Sequence, residues 1–221
     1  MSFIHHPSKG IKPYVVVIFG RTGVGISSLV NLIAGHPVSK DHPNAKTSTR
    51  GLKPYPVTFP GSEKQFCLYE VPGFGGQFSD KTILEAIRQI DQKAGIDLFI
   101  CCLRKQNATI MRGIGRRIRG CVAAPTKVPM IAVVTELERF EAVGGMEDWW
   151  DTSLEEGGTN GTYIERMCFG EDTFDAHACV TTLPLREVDL IQTLRKRRDW
   201  SEERIQRLIL EQCAGPKRRG E

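Results

Sequence analysis

The chain is poor in the features that anchor proteins in membranes or staple them outside the cell. No apolar run is long enough to cross a bilayer, and the first ten residues, MSFIHHPSKG, hold no signal-peptide core. No C-x-x-C pair occurs among the seven cysteines (Cys67, Cys101, Cys102, Cys121, Cys168, Cys179 and Cys213), and their number is odd. That argues against a zinc knuckle and a closed disulfide frame. Most of these thiols sit in apolar runs, so reduced cysteines and a cytoplasmic location are expected. The five histidines are scattered and suggest no metal site of their own. Internal repeats and low-complexity tracts are absent. An excess of one charge is also lacking: the net charge of +4 requires neither nucleic acid nor a membrane surface as partner.

Three basic clusters remain: Arg112, Arg116, Arg117 and Arg119; Arg195 to Arg198; and Lys217 to Arg219. Few aromatics interleave with them, so they read as solvated surface rather than a nucleic-acid track. A protein partner and the oligomeric state are left open.

What is present is an alternation of strand and helix patterns. Tyr14 to Phe19 is a β-branched, wholly apolar run of the kind that forms a buried parallel strand. Ile26 to Ala34 reads as a helix stopped by Gly35, and His36 to Pro54 as a turn-rich loop. YPVTF and QFCLYEV flank the turn PGSEK and predict a hairpin. Ser79 or Asp80 is placed to cap a helix through KTILEAIRQIDQKAG. DLFICCL, VPMIAVVTEL and HACVTTL read as further strands, and TIMRGIGRRIRGCV as a helix between the first two. GMEDWWDTSLEE reads as a short helix giving way to a loop. Leu185 to Gln212 reads as helical, with a break near Asp199–Ser201, where a serine followed by two glutamates looks like a fresh start. This order predicts a three-layer, P-loop NTPase-like α/β fold, its sheet mostly parallel with one antiparallel edge strand. The expected organisation is a flexible leader over 1–13, one domain over 14–212 that includes the C-terminal helices, and a basic tail over 213–221.

The chemistry is carried by VVVIFGRTGVGISSLVNLIAG, a strand, a glycine loop and a helix. Gly20, Gly23 and Gly25 permit a tight wrap in which the backbone N–H groups of Arg21, Thr22, Gly23, Val24, Gly25, Ile26, Ser27 and Ser28 can turn toward phosphate oxygens. The helix that follows adds its positive end. Ser27 stands where a hydroxyl ligates Mg²⁺ beside the phosphates. Where the motif G-x-x-x-x-G-K-[ST] has lysine, however, this chain has Ile26. The lysine's two charge-assisted hydrogen bonds would contribute roughly 3–6 kcal/mol, so their loss lowers phosphate affinity by about two to four decades. Arg21, in the same loop, is the candidate substitute cation.

GRTGVGISSLVNLIAG resembles the first motif of translation-factor-class GTPases, on the branch with septins and immunity-associated GTPases. LYEVPGFGG is similar to their third motif and VVTELERF to their fourth, while GMEDWW and HACVTT resemble segments of fungal G-domain-containing proteins. The resemblance covers about residues 14–182. It implies a fold that takes GTP or GDP with Mg²⁺, and it assigns roles to individual positions. Glu70 stands where an aspartate holds Mg²⁺ through water, and Gly73 where an amide senses the third phosphate. The first-switch threonine corresponds to Thr49, with Thr47 and Ser48 beside it. Thr135, Glu136 and Glu138 stand at the base-reading motif, and Ala178 with Cys179 beneath the base. The implied metal ligands are thus Ser27, Thr49 and Glu70.

Three of these positions depart from the pattern together. Ile26 removes a cation, Glu70 is one methylene too long for a site that tolerates little misplacement, and Glu136 inverts a charge beside the base. The leading expectation is a degenerate G domain with weak or lost binding of nucleotide and Mg²⁺, acting as a binding or regulatory module. One alternative is an active GTPase helped by Arg21 or by a partner. Another is an enzyme of a different class that reuses the loop for a non-nucleotide ligand. Trp149 and Trp150 read as packing residues, Glu147, Asp148 and Asp151 as a solvated helix start, and the spacing of His177 and Cys179 as no catalytic pair.

Overall fold

The computed structural model describes residues 12–39, 52, 54–105, 113–123, 127–168, 174–189 and 191–214. Six strands form one sheet: β1 (Tyr14–Gly20), β2 (Pro54–Thr58), β3 (Gln65–Glu70), β4 (Leu98–Arg104), β5 (Met130–Thr135) and β6 (Ala176–Cys179). Their spatial order is β2-β3-β1-β4-β5-β6. Only β2 runs antiparallel, pairing Tyr55 with Leu68 at the sheet edge, while the other neighbours are parallel. Pro54 and Pro56 sit on that edge strand, where a missing N–H is tolerated.

Helices cover both faces. They are α1 (Ile26–Ala34), α2 (Asp80–Ala94), α3 (Ile114–Arg119), α4 (Asp148–Asp151), α5 (Asn160–Cys168), α6 (Leu185–Val188) and α7 (Gln192–Gln212). Strand alternation divides the core into two layers. Val15, Val17 and Phe19 of β1 face one side, packing with α2, α3 and the Trp149–Trp150 pair. Val16 and Ile18 face the other, packing with α1 and with Ile205, Leu208 and Ile209 of α7. β1 is therefore buried on both faces, which is why it is apolar at every position rather than alternating.

Several elements match their sequence signals. α1 spans the expected residues and ends on Gly35 at φ 73°, a left-handed conformation that only glycine adopts at little cost. α2 is capped by Ser79, whose hydroxyl accepts the Thr82 amide proton at 3.2 Å. Others differ. The helix expected over TIMRGIGRRIRGCV is described only as the short α3, begun after Gly113 at φ 71°. The last strand stops at Cys179 rather than running on through Thr181–Leu183.

α5 has no counterpart in the sequence reading. Gly161 disguised it, and the structure shows why a glycine is there: a Cβ would stand 2.1 Å from the Trp150 indole nitrogen. The C-terminal break also moves. α7 runs unbroken through Asp199–Ser201, and the interruption lies between Val188 and Gln192. Ser201 does not start a helix; its hydroxyl donates back to the Arg197 carbonyl at 2.7 Å. The 1–13 leader and 213–221 tail fall almost wholly outside the described residues.

Candidate functional site

The glycine loop leaves the C-terminal end of β1, at the carboxyl edge where open α/β sheets place their ligands. Gly23 (φ 83°) and Gly25 (φ 90°) both adopt left-handed backbone, which turns successive amides to one side of the loop. A Cβ on Gly23 would meet nothing within 4 Å, so the space in front of the loop is open. α1 starts at Ile26 with no side-chain cap. Among the described residues, the amides of Gly23, Gly25, Ile26 and Ser27 find no acceptor within the chain. Four inward donors at an uncapped helix end form an anion cradle.

The loop is held from behind. A Cβ on Gly20 would lie 2.6 Å from the Cys102 carbonyl, so β1 can approach β4 here only through glycine. Thr135 is 1% exposed, and its hydroxyl lies within hydrogen-bonding distance of the Val24 carbonyl at 3.2 Å and the Leu103 carbonyl at 3.1 Å. Thr135 therefore positions the loop from the end of β5. Val24 is buried at 4%, whereas Ser28 is only half-buried in the first turn of α1.

Ile26 packs into the core. It is 8% exposed and joins the apolar cluster of Val16, Ile18, Leu29, Val180 and Ile205. Burial of this size contributes about 1.5–3 kcal/mol to core packing. Arg21 takes another course. Its backbone bridges Phe74, and a Cβ on Gly75 would stand 3.8 Å from its guanidinium Nε. The cation thus lies along the third-motif loop.

That loop is pressed onto the phosphate loop. Phe74 donates its amide to the Gly20 carbonyl at 2.9 Å, and the Thr22 amide donates to Phe74 at 3.0 Å. The Thr22 hydroxyl donates to the Gly73 carbonyl at 2.9 Å. At the end of β3, Glu70 receives two hydroxyls, Ser27 on one carboxylate oxygen and Ser39 on the other at 2.6 Å. Thr49, with Thr47 and Ser48, lies outside the described residues.

On the base side, Glu136 pairs with Arg104 at the end of β4. Its φ of 66° is the one positive value among described non-glycine residues, a conformation costing on the order of 1 kcal/mol. Glu138 accepts the Thr181 hydroxyl at 3.3 Å, and its carbonyl accepts from Arg197 at 2.5 Å. Ala178 is wholly buried inside β6 opposite Val133. Thr182, past the end of the strand, lies near the loop, since a Cβ on Gly25 would stand 3.9 Å from its hydroxyl.

The residues from 15 to 136, more than half of the chain, match the model of the 50S ribosome-binding GTPases. The chain belongs to that family. Membership makes it a GTP-binding-type G domain by descent, and solved structures agree on the fold. Era of Aquifex aeolicus, bound to GDP·AlF4⁻, superposes with a TM-score of 0.51 at 18% identity over 85% of this chain and 57% of its own. The FeoB G domain of Methanococcus jannaschii gives 0.50 at 11% identity over 93% and 100% of the two chains. Era in complex with MgGDPNP and a 16S rRNA segment gives 0.51 at 20% identity over 85% and 57%. The chain spans little more than half the length of the Era chains and of a GTP-binding protein of Sulfolobus solfataricus. A search of curated protein sequences finds no match.

Of the ligands that family membership implies, the cradle of Gly23–Ser27 suits phosphate. At the metal corner the Ser27 hydroxyl donates to one Glu70 oxygen and the Ser39 hydroxyl to the other, and each hydroxyl keeps oxygen lone pairs that could face Mg²⁺. Among the described residues no group of three or more His, Cys, Asp or Glu side chains could hold a metal ion, and no helix is long and apolar enough to cross a membrane.

Features away from the loop are structural. Trp149 and Trp150 are buried, and Trp150 stacks on His177 at 4.3 Å. Glu147 is not a solvated helix start: it accepts Arg204 at 2.6 Å and the Cys179 amide at 3.2 Å. Burial raises the Cys179 thiol pKa far above its ordinary value, which removes any thiolate. Arg195 to Arg198 form no single patch. Arg195 pairs with Asp189, Arg197 binds carbonyls, and Arg198 is buried against Glu202.

Proposed function

We propose that this chain is a degenerate G domain, a pseudo-GTPase that holds a guanine nucleotide weakly or has lost it. Its role would then be that of a binding or regulatory module. The observation that carries the reading is the burial of Ile26 in the core, which leaves backbone amides to hold the phosphates without a cation from α1. Removing a charge that meets the developing transition-state charge impairs phosphoryl transfer at least as much as binding. Glu136, tied to Arg104, supports a weakened preference for guanine. The quoted motifs support a place near septins and immunity-associated GTPases, with similarity to fungal G-domain proteins. The reduced thiols at Cys67, Cys102, Cys121 and Cys179 support a cytoplasmic location.

Calorimetry with GTP, GDP and ATP, with and without Mg²⁺, tests the reading alongside a phosphate-release assay. Micromolar or weaker binding and no steady turnover are expected. Submicromolar GTP binding with continuing turnover would overturn it.

A second reading, an active GTPase aided by Arg21, draws support from the guanidinium's place beside Gly75. It requires Arg21→Ala to abolish turnover and Ile26→Lys to raise it; no effect from either change removes it. A third reading, an enzyme of another class that reuses the loop for a non-nucleotide ligand, requires a metabolite to co-purify with the chain; an empty loop would count against it.

A further inference from the structure

We propose that Arg197, on the C-terminal helix, is a positioning residue that fixes the Glu138 carboxylate for a nucleotide base. This rests on the nucleotide-binding form of the reading above and adds to it what holds the base-reading group.

Four hydrogen bonds form a closed ring that begins and ends at Arg197. Its guanidinium Nη1 donates to the Glu138 carbonyl at 2.5 Å. The Glu138 carboxylate accepts the Thr181 hydroxyl on Oε2 at 3.3 Å. The Thr181 amide donates to the Ser201 hydroxyl at 3.1 Å, and that hydroxyl donates to the Arg197 carbonyl at 2.7 Å. The same Nη1 also reaches the Phe140 carbonyl at 3.0 Å, and the Phe140 amide turns back to the Leu137 carbonyl at 3.0 Å. The ring thus joins the turn after β5, the segment after β6 and the middle of α7. Thr181 and Ser201 are fully buried, so water does not compete for their bonds. Arg197, Ser201 and Thr181 all lie outside the residues 15–136 that match the family model.

The carboxylate sits between two segments that border the phosphate loop. Thr135, at the end of β5, reaches the Val24 carbonyl, and Thr182, next to Thr181, stands near Gly25. Among the described residues nothing bonds the second carboxylate oxygen, Oε1, which is left as an acceptor for the N–H edge of a base. Residue type makes such a ring useful. Glutamate has one more rotatable bond than the aspartate of the family pattern, so more side-chain freedom must be removed before it meets a base. Fixing it in the ligand-free protein removes that cost from binding. A guanidinium on two carbonyls is a charge-assisted brace, stronger than a neutral donor would give. Arg204, on the same helix, holds Glu147 and the His177 carbonyl instead and lies outside the ring.

The test uses the full chain and two independent readouts. The first is calorimetry with GDP and inosine diphosphate, which share sugar and phosphates and differ by the 2-amino donor. Wild type should bind GDP about tenfold tighter than inosine diphosphate. Arg197→Met should reduce that ratio to about twofold or less, and Arg204→Met should leave it unchanged. In a Glu138→Ala background, Arg197→Met should alter the ratio no further. If Arg197→Met does not fold, Ser201→Ala opens the ring at another link and should reduce the ratio in the same way. The second readout is hydrogen exchange in the ligand-free protein. Arg197→Met should speed exchange at the Phe140 and Thr181 amides about tenfold or more, with no change at Gly95, whose amide closes the end of α2.

A ratio unchanged by Arg197→Met or by Ser201→Ala, an equal fall in Arg204→Met, or unchanged exchange at both amides would overturn the proposal. Equal binding of the two nucleotides by wild type would overturn it too. Failure of both to bind would overturn it while leaving the reading of a G domain that has lost its nucleotide. Submicromolar GTP binding with steady turnover, together with the expected ratios, would overturn that reading and uphold the proposal.

Discussion

The Ser201 hydroxyl accepts the Thr181 amide proton at 3.1 Å, joining the middle of α7 to the end of β6. Both residues are fully buried. The same hydroxyl donates to Arg197, whose guanidinium in turn holds the carbonyls of Glu138 and Phe140. Through this chain the C-terminal helix supports the loops on the base side of the site.

Ser201→Ala should therefore orphan a buried amide. Leaving such a donor unsatisfied costs about 1–3 kcal/mol, read as a lower urea midpoint with an unchanged slope. A midpoint equal to wild type would show that Thr181 does not depend on α7.

Ile26→Lys should move two quantities in opposite directions. Loss of the apolar side chain from its cluster should lower stability by about 1.5–3 kcal/mol. An ammonium that reaches the cradle should tighten pyrophosphate binding about tenfold or more, each charge-assisted bond contributing about 1.5–3 kcal/mol. Thermal unfolding and calorimetry on the same preparation separate the two effects. Unchanged affinity would mean that a lysine at this position stays in the core.

Gly73→Ala places a methyl group 2.5 Å from backbone atoms of Thr22, which cannot yield as a flexible side chain would. The third-motif loop should lift off the phosphate loop, with a loss of about 1–3 kcal/mol and faster hydrogen exchange at Thr22 and Phe74. Protection equal to wild type would show that the loops are not in contact.

His177 predicts a pH dependence. Burial lowers its pKa below the ordinary 6.5, and Arg204 pushes the same way against Glu147, Asp151 and Glu165. As the pH falls below 6.5, the unfolded chain takes up this proton before the folded one does. The stability attached to His177 is therefore complete above that pH and is lost as the pH falls toward the folded value. His177→Phe, which keeps a ring against Trp150, should flatten the acid side of the stability profile. Identical profiles for the two proteins would rule this out.

The β1–loop–α1 unit was legible because its determinants are local. An apolar run, glycines where left-handed backbone is required and a helix stop at Gly35 lie within one stretch. The hairpin and the capped α2 were legible for the same reason. α5 was not, because Gly161 answers to Trp150, eleven positions away, rather than to its own helix. The break placed at Asp199–Ser201 failed in the same way. Its serine and two glutamates imitate a helix start, while the Ser201 hydroxyl is directed at Thr181 in another element.

At the site, the residue types were visible in advance and their directions were not. That position 26 carries no cation is a property of the letters. That this isoleucine would be buried depended on the apolar cluster that β1, β4 and α7 bring together behind the loop. Likewise, the extra methylene of Glu70 could be read from the chain, but its capture by Ser27 and Ser39 required β3 and the end of α1 to be brought together. Local backbone demands and hydrophobic pattern act over a few residues and are written in order along the chain. Contacts between elements distant in sequence exist only once the sheet has assembled, and those contacts determine what this phosphate loop can hold.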